Sequence, residues 1–335
     1  MVLLVTVFFY QKMNYIMRNN KSTFKCSVYV EEEGINIYSA DVRVVELLRH
    51  GSFIPFIPEW RIEECEAKNK SILECVFDNE NIMEIREDGN HFISGQFEDF
   101  ANSHTIPYFI NYILEAERAK NGKTTIHSAA VSKCGKGILL LGKQGSGKTS
   151  LVLELCRKFG YSLIGNDLTL VGIKENIAYL HGGTKVFRLR ATTVNYYNLD
   201  LKRFFKPDEN IDEWTQTTII NPEEIKVMTE KSIVPIQAIF YVHLYPPNYN
   251  FVVKKVDQLF SRIYLYQIFS EYIRGSAIIP LIGKDLKFSN YLPSLDNEIA
   301  FKKRIEFINW IINNKNYKYI AGSLVDICTF IDQNL

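Results

Sequence analysis

Residues 142–149, Gly-Lys-Gln-Gly-Ser-Gly-Lys-Thr, match the pattern GxxxxGK[ST] in full. Gly142, Gly145 and Gly147 permit backbone turns that bulkier residues resist, so successive N–H groups can point inward at an anion. An apolar run, Gly137 to Leu141, leads into the loop as a strand, and Lys148 to Lys158 follows as a helix whose free N-terminal amides and dipole add to the cradle. Lys148 supplies a point charge for the β and γ phosphates of a nucleotide, and the Thr149 hydroxyl suits Mg²⁺. The candidate nucleotide-binding residues are therefore Gly142, Lys143, Gln144, Gly145, Ser146, Gly147, Lys148, Thr149 and Ser150, with ATP or another NTP and Mg²⁺ as the implied cofactors.

What happens to the phosphate depends on acids and bases elsewhere. Asp167 follows Thr149 by 18 positions, just after an expected strand at Tyr161–Gly165. One helix and one strand are enough chain to return to the loop, so this carboxylate can join Thr149 at Mg²⁺ or take the proton from an attacking hydroxyl. His127 lies on the strand before the loop, a position where a histidine can be a plain core residue or a functional one. Lys185, Arg188 and Arg190 alternate with Val186, Phe187 and Leu189, so the arginines form one face of a strand. That face is either a contact for phosphate or acceptor or a solvated edge.

Around these residues the chain must build a scaffold. With 335 residues, 47% apolar and 23% charged, it has enough material for two globular domains and none of the signature of a disordered or fibrous protein. No apolar run reaches the roughly 20 residues of a spanning helix, so no membrane partner is expected. Met1–Tyr10 lacks a basic region before it and a small-residue cleavage site after it, and reads as a strand rather than a signal peptide. The six cysteines show no ligand-type spacing, which fits reduced thiols and a cytoplasmic location. The net charge of +1 hides an asymmetry, −7 over residues 1–120 and +8 over 121–335. A polyanionic ligand suits the second part.

Residues 1–103 read as a β-rich domain, with strands at 24–30, 35–38, 72–77, 82–86 and 91–94 punctuated by turns such as Asp88-Gly89-Asn90. A linking helix is expected over 104–122, with Pro107 in its first turn and Asn121-Gly122 as its stop. The remainder, 123–335, is the nucleotide-binding domain. Thr124–Val131 and Gly137–Leu141 are expected as a hairpin pair, with further strands at 161–165, 168–173, 178–181, 186–189 and 235–244. Helices are expected at 257–273, 295–313 and 323–331. Trp214, His181, His243 and the aromatic helix carrying Tyr264 are read as structural. Lys202–Lys206 is read as a solvated loop rather than a nucleic-acid clamp.

Ile126–Val131, the run from Gly137 through the loop to Ser150, the helix ending at Phe159-Gly160, and Leu163–Asp167 together resemble the HPr kinase/phosphorylase family and its HPr-kinase-like relatives. The resemblance covers roughly residues 124–190. It implies an α/β fold with an HPr kinase and PEP carboxykinase-like P-loop core of mixed sheet and helices. It also implies ATP-dependent phosphorylation of a hydroxyl, with Lys148 and His127 close to the transferred group and Asp167 at the metal and the proton. Two departures matter. The family carries two consecutive acids where this chain has Asn166-Asp167, and its glycine-rich signature is replaced by Ala191-Thr-Thr-Val-Asn195. HPr itself is therefore not the expected substrate. The chain looks more like the stand-alone kinases beside ribosomal (lasso) peptide pathways.

Three functions are compatible with these features. The first is a kinase for a Ser or Thr of a peptide or protein, including a ribosomally made precursor. The second is a small-molecule kinase, and the third a catalytically impaired nucleotide-binding regulatory module. A homo-oligomer is compatible with all three.

Overall fold

Two stretches of sequence, one punctuated by hairpin turns and one alternating strands with helices, fold as two compact units. The computed structural model describes residues 22–51, 54–79, 81–86, 88–101, 104–196, 201–205, 212–246, 248–274, 281–282, 287–288 and 292–335. One unit is Met1–Ile54, Trp60–Leu114 and Gly275–Leu295; the other is Pro55–Glu59, Glu115–Arg274 and Asp296–Leu335. The expected strand at Met1–Tyr10 and residue Lys206 lie outside the described residues.

The first unit is built on a six-stranded sheet of order β3-β1-β2-β4-β6-β5. Its strands are β1 (Thr23–Val30), β2 (Glu33–Ser39), β3 (Trp60–Glu63), β4 (Ser71–Phe77), β5 (Ile82–Glu84) and β6 (Asn90–Gly95). Helices α1 (Arg43–His50), α2 (Phe97–Ala101) and the start of α3 (Thr105–Lys120) belong to it. The division between the units falls inside α3, after Leu114, rather than at its ends.

The second unit carries β7 (Lys123–His127), β8 (Ala129–Lys133), β9 (Lys136–Leu141), β10 (Ser162–Gly165), β11 (Leu168–Lys174), β12 (Ile177–Gly183), β13 (Phe187–Arg190), β14 (Thr217–Ile220), β15 (Val234–Leu244), β16 (Val252–Lys255) and β17 (Tyr317–Gly322). Its helices are the end of α3, then α4 (Lys148–Lys158), α5 (Ala191–Tyr196), α6 (Gln258–Ser270), α7 (Glu298–Asn313) and α8 (Leu324–Gln333). The main sheet runs β10-β8-β9-β15-β12-β11-β7, with β17 also on β15 and β16 on β17. At its centre β9, β15 and β17 are parallel. Both faces of β9 are covered, which is why Gly137–Leu141 reads as an unbroken apolar run. Ile138 and Leu140 pack with Leu151 and Leu155 of α4 and Ile327 of α8. Leu139 and Leu141 pack with Leu265 of α6 and Phe307 of α7 on the opposite face. The fold is thus α/β, with mixed sheets and eight helices among the described residues. None of these helices is long and apolar enough to cross a membrane.

One expectation is corrected. Thr124–Val131 is not a single strand. It breaks at Ser128, so that β7 pairs with β11 while β8 pairs with β9 and β10. The Ser128 N–H donates to the Asp167 carbonyl at 3.1 Å, and this long-range bond turns the chain from one neighbour to the other.

Candidate active site

The end of β9 leads directly into the glycine loop. Gly145 takes φ 80 and Gly147 φ 93, the left-handed region in which a side chain is strained. Gly147 has a second reason to lack a side chain, since a Cβ there would lie 2.3 Å from the Leu244 Cδ1 atom. Gly147 caps α4, whose last turn holds Arg157 and Lys158 against the negative end of the helix dipole. Gly160, at φ 72, lets the chain leave that helix. Bonds from the Ser146 N–H to the Lys143 carbonyl and from the Leu244 N–H to the Ser146 carbonyl, 3.1 and 3.0 Å, fix the loop to itself and to β15.

Two tyrosines hold the front of the loop. The Gly142 N–H donates to the Tyr264 hydroxyl at 3.1 Å, and the Lys143 backbone makes a hydrogen bond to Tyr241. Burial pushes both phenols upward. Tyr264, read from sequence as structural, therefore touches the loop. Period-3.6 spacing marked its helix as packed on something but could not say on what. Gly142 and Lys143, by contrast, commit these amides to tyrosines, and the cavity wall begins at Gln144.

That cavity has a volume of about 980 Å³ and is lined by Gln144 to Ser150 together with His127, Asp167, Arg188, Arg190 and, from the α5 and β14 side, Thr192, Thr193, Glu213 and Trp214. Lys148 is buried in its wall, with Nζ donating to the carbonyls of Gly142 at 2.8 Å and Lys143 at 3.3 Å. Burial pushes its ammonium down to about 8, partly offset by Asp167. His127 Nδ1 lies 3.5 Å from Asp167 Oδ1. Burial, then the charge of Lys148, lowers the His127 pKa below its ordinary value of 6.5, while Asp167 acts in the opposite sense. The imidazole is therefore largely neutral at pH 7.

Asp167 occupies the turn between β10 and β11 with φ 80. Its neighbour explains why only one of the two residues can do chemistry. Asn166 is buried, its N–H donates to the Thr184 carbonyl at 2.8 Å, and its side-chain amide donates to the Val186 carbonyl at 3.0 Å. Thr184 also donates its hydroxyl to the Asn166 carbonyl. Asn166 is a strut within the fold, and Asp167 presents the carboxylate to the cavity.

Among the sequence candidates, the structure brings His127, Gln144 to Ser150, Asp167, Arg188 and Arg190 to one cavity. Trp214, read as structural, joins them. Its only sequence signal was a tryptophan in a polar stretch. Lys185 does not line the cavity; it pairs with Glu59 at 3.1 Å and donates to the Ile164 carbonyl at 2.5 Å. For Mg²⁺ the donor set fits: Thr149 offers a hydroxyl and Asp167 a carboxylate, the hard oxygen ligands this ion takes alongside phosphates and water. Among the described residues no group of three or more His, Cys, Asp and Glu converges as a dedicated protein cage.

No protein-family model and no curated protein matches the chain. Among solved structures the chain is similar to the Hpr(Ser) kinase/phosphatase from Coxiella burnetii, at 15% sequence identity, covering 40% of this chain and 78% of that chain, with a TM-score of 0.22. A likeness of that size defines neither a shared fold nor a shared activity. The functional reading therefore has to stand on the cavity.

Proposed function

We propose that this chain is an ATP- and Mg²⁺-dependent phosphotransferase that phosphorylates a Ser or Thr hydroxyl of a peptide or protein. One observation carries the reading: the Asp167 carboxylate stands in the same cavity as the loop and lysine that would hold a nucleotide's phosphates. The loop amides from Gln144 onward bind and orient those phosphates, and Lys148 adds the point charge. Asp167 accepts the proton of the attacking hydroxyl. His127, neutral and 3.5 Å away, limits the orientations open to that carboxylate. Thr149 and Asp167 would hold Mg²⁺, which would supply positive charge against the phosphates.

The rim favours a large acceptor over a closed metabolite pocket. Arg188 and Arg190 are exposed there, and Trp214 keeps 69% of its surface accessible. The test uses γ-labelled ATP and Mg²⁺ with the chain alone, with Ser- and Thr-containing peptides, and with a metabolite pool. Label on peptide is the expected result. Asp167→Asn should then lose roughly 10²–10⁴-fold in transfer while still binding nucleotide, and Lys148→Ala should lose transfer as well. Nucleotide binding with no transfer to any acceptor would overturn the reading in favour of a regulatory module.

A further inference from the structure

The sequence leaves Arg188 and Arg190 open to two interpretations, a ligand contact or a solvated edge, and the geometry separates them. On β13 the side chains of Phe187 and Leu189 are buried, which sends both guanidinium groups to the other face. Both arginines line the cavity, and Leu189 between them also reaches its wall. Their cross-strand partners on β14 are Ile219 and Thr217, neither an acid. Among the described residues no carboxylate pairs with either arginine. Among the described residues lining this side of the cavity the one acid is Glu213, which accepts from Asn195 at 3.2 Å.

Beside the arginines stands an apolar surface. Trp214 is presented by a turn that Asp212 closes, its carboxylate accepting from the Trp214 N–H at 3.1 Å and its carbonyl from the Thr215 N–H at 2.9 Å. Ile219, directly opposite Arg188, is 50% exposed. Aliphatic and aromatic surface next to two guanidiniums that have no carboxylate partner among the described residues makes a poor solvated edge and a good recognition surface. The phosphates of a nucleotide already have the loop amides, the α4 N-terminus and Lys148, so these cations are in excess of what the nucleotide needs.

Resting on the phosphotransferase reading above, we propose that the acceptor is an acidic peptide. Two of its carboxylates, two residues apart, engage Arg188 and Arg190, and an apolar side chain lies on Trp214. The spacing agrees: alternate residues of an extended chain repeat at roughly 6.6 Å, on the peptide as on β13. Guanidinium and carboxylate can then meet pairwise in the bidentate geometry arginine favours.

The test uses fluorescein-labelled peptides with one Ser in an Ala frame and a flanking Asp-Ala-Asp, Asn-Ala-Asn or Lys-Ala-Lys segment. Anisotropy is read with the full chain in the presence of Mg²⁺ and a non-hydrolysable ATP analogue. The Asp peptide should bind at least tenfold more tightly than the Asn peptide, and the Lys peptide more weakly than both. In the double variant Arg188→Glu/Arg190→Glu the order should reverse, while calorimetry returns the same affinity for the analogue within about twofold. Trp214→Ala should weaken all three peptides by a similar factor. Equal binding of Asp and Asn peptides, or a double variant that keeps the Asp preference, would overturn the proposal. So would loss of analogue affinity in parallel with loss of peptide affinity, which would assign the arginines to the nucleotide. Transfer to Ser is measured separately: charge-selective binding without transfer keeps the docking surface and refutes the kinase, and transfer without charge preference does the reverse.

Discussion

Replacing Lys148 by Met should stabilise the protein while abolishing the nucleotide binding proposed above. Lys148 is only 7% exposed, and burial lowers its ammonium from the ordinary 10.5 to about 8. At roughly 1.4 kcal/mol for each tenfold change in proton affinity, keeping the charged form inside the fold costs about 3 kcal/mol. The sign follows from which state holds the proton. Below about pH 8 folded and unfolded chains are both protonated, and the penalty is present in full. Between about 8 and 10.5 the unfolded chain binds more protons than the folded one, so stability rises with pH. Above 10.5 both are neutral and the penalty is gone. The neutral amine also still donates to the Gly142 and Lys143 carbonyls, a benefit Met lacks. Losing those two bonds takes back roughly 1 kcal/mol each, so Lys148→Met should melt only a few degrees higher than the parent at pH 7, at about 2–4 °C per kcal/mol for a domain of this size, and the difference should change sign by pH 10. Circular dichroism melts across that range provide the assay, with calorimetry for nucleotide. A variant that melts lower at pH 7, or a difference independent of pH, would refute the reasoning.

Tyr264→Phe leaves the buried Gly142 N–H without its acceptor and should cost about 1–3 kcal/mol in urea unfolding, with weaker nucleotide binding as the loop front loosens. Gly147→Ala faces both the positive φ and the Leu244 contact, and calorimetry should find nucleotide binding lost even when Leu244→Ala is added, because the φ constraint survives. The fully buried pair Arg118–Glu115, at 2.7 Å, ties α3 to β7 through bonds from the Thr124 hydroxyl and the Thr125 hydroxyl and N–H to Glu115. Arg118→Met should cost about 3–5 kcal/mol by stranding the carboxylate, and adding Glu115→Gln should recover much of that in the same unfolding assay. For His127 the unfolded chain takes its proton near the ordinary 6.5 and the folded chain only at lower pH, so stability declines as pH falls through that window. His127→Asn should flatten this part of the stability profile, read as melting temperature between pH 5 and 7.

The loop and its two flanking elements were legible because each is specified locally: an apolar run, glycines at fixed offsets, and a helix whose bounds, Lys148–Lys158, follow from Gly147 and Gly160. Asp167 was legible from chain length alone, since one helix and one strand bring the chain back. The break at Ser128 was not. Thr124–Val131 is uniformly good strand sequence, and the break comes from a hydrogen bond to a residue 39 positions later. For the same reason the sequence does not show that Lys185 points to Glu59 while Arg188 and Arg190 line the cavity. Alternation alone puts Lys185, three residues before Arg188, out of phase with the two arginines, but which phase faces the cavity is decided by pairing with β14 and burial of Phe187 and Leu189. Strand β17 reads Tyr317-Lys-Tyr-Ile-Ala-Gly322, too short a run to be told from a loop by its own residues. Its place is set by parallel pairing with β15.

Several features that cost stability lie around one cavity. Lys148 is a charge in the interior, and Asp167 takes a left-handed φ that glycine would adopt more easily. Ser146 Oγ and Asn166 Oδ1 are buried with no hydrogen-bond partner among the described residues. Positive φ by itself is ordinary here: Cys134, Glu175 and Asn176 adopt it too, in hairpin turns exposed to solvent. Asp167 differs because the bonds around it hold the strain in place. Its carbonyl is fixed by Ser128, and the flanking Asn166 and Leu168 are both tied to Thr184. A fold selected for stability alone would have placed glycine at 167 and an apolar side chain at 148. Keeping an acid in one position and an ammonium in the other, against local preference in both, is what the proposed phosphotransferase site would require.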